Sequence, residues 1–197
     1  MGPPFTKEVA VETLAGLWLP IVVSAVLVFV ASSLIWNVLG AHKWHVRGFP
    51  DEAATREALL EQGIVPGQYS IPYCPDPAMM KDPAFKEKLE KGPVAVLMVR
   101  KPGLPNMGVF LGGWFLHLLF VSYVVALVCG QTLHRGAPYP LVFRVAGAVA
   151  FAGYSFAHIP NAIWWGRPWK SAVKEVADGI VYALLTAGTF GWLWPEG

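Results

Sequence analysis

The chain has 197 residues, 55% of them apolar and only 14% charged, with a formal net charge of +2 and a mean hydropathy of +0.47. A soluble domain carries about 25% charged residues, so this is the composition of an integral membrane protein. The positive charge is small and dispersed, without the clustered basic face that nucleic acid requires, which removes DNA- and RNA-binding functions.

At the N-terminus, "MGPPFT" matches the short myristoylation pattern at Gly2 and Thr6. Chance accounts for it better, because two prolines follow the glycine. Glu8 and Glu12 precede the first apolar run, which argues against a cleavable signal peptide and for a retained first span. That span runs from Leu17 to Leu39. Trp18 and Trp36 near its ends are about 27 Å apart by helical rise, as two interfacial anchors would be. Pro20 falls in its first turn, where a missing N–H costs little. Beyond it, His42 and His45 stand among Lys43, Trp44 and Arg47. A metal would need two further ligands, with Cys74 the nearest candidate; interfacial anchoring accounts for the whole collar without one.

Residues 41–106 hold most of the polar chemistry. "FPDEAATREALLEQGI" predicts a helix with Asp51 as N-cap, Ala54, Ala58 and Leu59 on one face, and Gly63 as the stop. "GQYSIPYC" and "GPVAVLMVRKPG" predict two short strands, with the helix "DPAFKEKLEK" between them. The expected product is a small α+β cap, too small to fold alone. Cys74 lies among prolines, where a packed loop side chain is favoured over a reactive thiol. A bridge to Cys129 is not expected, since that residue lies about 33 Å along the second span.

Three more apolar runs follow, at Met107–Leu133, Pro140–Ile159 and Val173–Trp194, each near the roughly 20 residues that span hydrocarbon. The predicted fold is therefore an all-α membrane protein with four transmembrane helices and a cap inserted between the first and second. Its divisions are residues 1–40, 41–106 and 107–197. His117, deep in "FLGGWFLHLLF", is expected to hydrogen-bond to a Ser, Thr or Tyr of another helix. A haem shared with His158 is disfavoured, because the two rings would differ in depth by about 10 Å. Asp178 is expected to pair with Lys174 at the interface, and Pro160 to mark a span boundary. Trp164, Trp165 and Trp169 surround Arg167 in the connector 160–172, which suits a headgroup-level segment or a protein partner equally.

The clearest pattern is one of small residues. Gly179, Ala183, Ala187 and Gly191 recur every four positions in the last run, a stripe that lets backbones approach, with Leu184 and Leu185 on the opposite, lipid side. Gly108 and Gly112 form G-x-x-x-G in the second run, and Ala146, Ala150, Gly153 and Ala157 continue the theme in the third. Of the 15 Lys and Arg, only Lys7, Arg135 and Arg144 fall on the side of the termini. The positive-inside rule then puts the cap in the cytoplasm and both termini outside. Hydrolase, metalloprotease and phosphate-loop motifs are absent from the sequence.

The stretches "LWLPIVVSAVLVFVASSLIW", "GPVAVLMV" and "GIVYALLTAGTFGWLWP" resemble a group of small bacterial integral membrane proteins to which no activity is assigned. The resemblance implies a bacterial inner-membrane location and no site residues. The expectation is a non-catalytic protein acting by association, with copies of itself or as an accessory subunit of a membrane complex. No cofactor is expected beyond a bound lipid. The alternative is a redox or cofactor-binding protein using His117, Cys74 or the His42/His45 pair.

Overall fold

Among the described residues, three helical stretches are long and apolar enough to cross a bilayer: Trp18–Asn37, Met107–Thr132 and Tyr139–Trp165. They belong to a computed structural model that describes residues 14–38 and 46–196. The chain divides into two units, one of residues 46–105 and 163–166, the other of the remainder. In the larger unit, α1 (Trp18–Ser33) ends in a π-helical turn, Leu34–Val38. Such wide turns inside helices are frequent at functional sites.

The smaller unit follows the predicted order. Helix α2 (Glu52–Glu61) starts where the Asp51 carboxylate accepts the Ala54 N–H at 2.9 Å, one of the orphan donors of a first turn. It stops before Gly63, whose φ of +60° suits glycine. Strand β1 (Gly67–Ile71) is antiparallel to a later strand, β2 (Ala95–Val99), with Tyr69 opposite Leu97. Between them lies α3 (Pro83–Lys91), capped by Asp82 with Pro83 in its first turn. The expected apolar face of α2 differs from the observed one. Ala54 and Ala58 are exposed, and only Thr55 and Leu59 are partly covered, since a two-stranded sheet offers little surface to bury a helix against.

In the larger unit, α4 (Met107–Thr132) opens on Asn106, whose side chain accepts from Gly108 N and Val109 N. Helix α5 (Tyr139–Ser155) is followed by α6 (His158–Trp165) and α7 (Trp169–Trp192). The third predicted run, to about Ile159, is divided: α5 ends at Ser155 and α6 begins at His158 after a two-residue turn. Pro160 occupies the first turn of α6, where no intrahelical N–H is lost, and the chain turns again at Gly166, with φ +66°. The connector 160–172 is thus largely helical.

Helix α7 also departs from expectation. It is 24 residues long, about 36 Å by helical rise, but Lys170, Lys174, Glu175 and Asp178 crowd its first half. It is not among the helices apolar enough to qualify as a span.

Packing in this unit is ring-like, with α1 against α4 and α7, and α5 against α4 and α7. Apolar lipid does not drive helices together, so close fit must. The closest pair is α5 with α7. A Cβ added to Gly147 would lie 3.3 Å from Ala187, and one on Gly191 would lie 2.7 Å from the Tyr139 ring. One on Gly179 would collide with Ser155 Oγ. The Gly179–Ala183–Ala187–Gly191 stripe therefore lies against α5 of the same chain. Leu184 is half exposed, but Leu185 packs partly against the core. The lipid side expected for both leucines holds for the first alone, since Leu185 is packed against the core. Across the ring, Ser24 donates to Ser122 at 3.0 Å, a polar clasp between α1 and α4.

Candidate functional site

Three polar residues of α7 share the face of its small-residue stripe. Glu175 stands four residues before Gly179, Asp178 four before Tyr182, and that spacing turns all of them inward. Glu175 is 5% exposed, Asp178 8% and Tyr182 5%. Burying a carboxylate is costly unless it is paired. Glu175 meets that requirement twice: the Arg167 guanidinium donates to Oε1, and His158 Nδ1 lies 2.8 Å from Oε2. The second contact is at ion-pair distance but off hydrogen-bond alignment. Gly166, by turning the chain between α6 and α7, brings His158 and Arg167 to the same carboxylate.

Beside this trio is a cavity of about 460 Å³, within the range of small-molecule sites. Its two sides differ in chemistry. Met107, Phe110, Leu111 and Trp114 of α4 form an apolar side. Tyr154, His158, Glu175, Asp178 and Tyr182 form a polar one, and the end of α1 closes the space with Ser32, Ser33, Trp36 and Asn37. Trp36 sits on the π-helical turn, which swings its indole toward the cavity.

The aromatic lining is fixed by contacts of its own. Trp114 Nε1 donates to Ser32 Oγ at 3.0 Å, and Ser32 donates in turn to Phe29 O at 2.9 Å. Tyr182 meets Trp114 with centroids 6.5 Å apart and Tyr154 at 5.8 Å, both edge to face, the arrangement that ring quadrupoles favour. Tyr154 Oη lies 3.5 Å from Thr186 Oγ1. Tyr182 Oη is buried, with the Trp36 indole as its polar neighbour.

The residues singled out from sequence are mostly elsewhere. His117 is exposed on α4 and stacks on Trp114 with centroids 5.4 Å apart. His42 and His45 lie outside the described residues. Cys74 donates to Asp76 O, and both Cys74 and Cys129 are free thiols. Among the described residues, no three His, Cys, Asp or Glu side chains converge as a metal ligand set. Gly108 and Gly112 are exposed, and a Cβ on Gly112 or Gly113 would meet nothing within 4 Å. Trp18, Trp164, Trp165 and Trp169 are all more than half exposed.

Asp178 requires a correction, because it is buried in the cavity wall rather than set at an interface beside Lys174. Glu175, His158, Arg167 and Tyr182 were not anticipated as site residues. The signal was present: four-residue steps back from Gly179 and Tyr182 land on the two carboxylates.

Comparison of the chain with protein-family models, curated proteins and solved structures finds no match.

Proposed function

We propose that this protein is an integral membrane binding protein that takes a small amphiphilic molecule into the cavity between α1, α4 and α7. The observation that carries this reading is the pair of buried carboxylates facing a 460 Å³ space whose opposite side is apolar. Polar groups buried in a membrane bundle are expensive and are the default markers of function there. A bilayer supplies amphiphiles directly, including the lipid expected as a bound molecule. Helix α7 serves as the fourth membrane-crossing helix, its early charges turned inward or toward headgroups. The Lys and Arg bias supports a cytoplasmic 46–105 unit in a bacterial inner membrane.

Association with itself or with other membrane subunits is a second role, favoured by the open backbone at Gly112 and Gly113. The α7 stripe no longer supports it, since α5 occupies that face. Redox chemistry at His117 or Cys74 finds less support, as neither residue lines the cavity.

Native mass spectrometry from mild detergent tests both roles. After exposure to a total membrane extract, the wild type is expected to retain a small-molecule adduct that Leu111→Trp, which fills the apolar side, loses. No adduct, or one held equally by both proteins, overturns the binding role. A strictly monomeric, partnerless particle at every concentration removes association.

A further inference from the structure

The chemistry of the cavity narrows what it binds. Its lining includes two carboxylates, Glu175 and Asp178, and one histidine, with neither lysine nor arginine among the lining residues. Glu175 is already engaged by Arg167 and His158, so the carboxylate that an anionic ligand would meet and be repelled by is Asp178. Aromatic rings border the polar side: Trp36, Trp114, Tyr154 and Tyr182 all line the cavity, and rings of this kind attract cations. A cation bearing N–H groups can hydrogen-bond a carboxylate of the lining, which a fully alkylated one cannot. Phe110 and Leu111 on the facing side suit a hydrocarbon tail.

From the binding role above, on which this step rests, we infer that the ligand is a protonated amine with an apolar tail. Its ammonium lies beside Asp178 among the rings of the lining, and its tail lies along the start of α4. An alkylamine, with a pKa near the ~10.4 of lysine, is charged at neutral pH. Two sources present this chemistry, a free amphiphilic amine and the headgroup of an amino-phospholipid.

The test is saturable binding of radiolabelled octylamine to the protein in phosphatidylcholine nanodiscs, with empty discs subtracted. Octylamine is expected to bind at least about tenfold more tightly than 1-octanol, the difference a charged hydrogen bond makes, and octanoate is expected not to bind. Octyltrimethylammonium, lacking N–H, should bind more weakly than octylamine. Asp178→Asn should weaken octylamine by about tenfold or more, with helix content followed by circular dichroism. Competition by lysophosphatidylethanolamine identifies the headgroup as a source, and its failure to compete identifies the free amine.

If octanol or octanoate binds as tightly as octylamine, the cavity still binds amphiphiles but the amine assignment falls. If no probe binds above empty discs, the amine assignment falls while native mass spectrometry still judges the binding role. These comparisons on the wild type decide the matter even where a variant fails to fold.

Discussion

Glu175 is the residue on which the most depends, because His158 of α6 and Arg167 of the turn before α7 meet on its carboxylate. Truncating one partner of a buried pair leaves the others desolvated without compensation. Arg167 is about a third exposed and recovers water, which reduces the loss. Glu175→Ala is therefore expected to destabilise the protein by about 1–3 kcal/mol, while Glu175→Gln, which keeps an acceptor for Arg167, should cost less. Thermal unfolding in detergent measures both; equal stability of wild type and Glu175→Ala would mean that the trio contributes nothing to the fold. Residues of this kind were poorly legible in the sequence. Hydropathy treats a carboxylate near a helix start as an interfacial residue, and only the helical phase relative to Gly179 and Tyr182 distinguishes an inward one. The partners were harder still to see, because His158 and Arg167 reach Glu175 only through the Gly166 turn.

Helices were more legible than sites. Asp51, Gly63, Asp82 and Pro83 marked the ends of α2 and α3 because capping chemistry is local. The start of α6 was harder to place, because Pro160 reads as a boundary whether it ends a helix or opens one. At this scale the α5–α7 contact makes the clearest demand. Ala187 is fully buried and its Cβ sits where a Cβ on Gly147 would lie 3.3 Å away, so Ala187→Leu forces extra carbons between two backbones. Overpacking of this sort typically costs about 1–3 kcal/mol. Leu184→Ala, on an exposed surface, should lie within about 0.5 kcal/mol of wild type. Unfolding midpoints of the two variants in one detergent decide it: similar values would mean that the helices are not held at this distance.

Taken whole, the molecule presents its basic residues unevenly, and that asymmetry sets its expected orientation. A single cysteine in α2, introduced with Cys74 and Cys129 replaced by serine, should resist a membrane-impermeant thiol reagent in intact cells and react after lysis. Labelling before lysis, with none at the C-terminus, would invert the topology. The two-unit division was visible in composition, since polar residues concentrate between the first and second apolar runs. The membrane unit's cavity was not, because its lining comes from α1, α4, α5, α6 and α7 and no short stretch contains it.

The tight seam between α5 and α7 also bears on how the protein comes to be built. These helices are close neighbours in the chain, so their pairing closes a short loop, whereas α1 must wait for a partner about a hundred residues downstream, a costlier closure. The C-terminal pair can settle as a unit, and the binding space is complete only when α1 and α4 pack against it. The last surfaces to join are then the ones that form the cavity. Hydrogen exchange should find the amides of Ala183 and Ala187 the slowest to open and those of the Leu34–Val38 turn among the quickest.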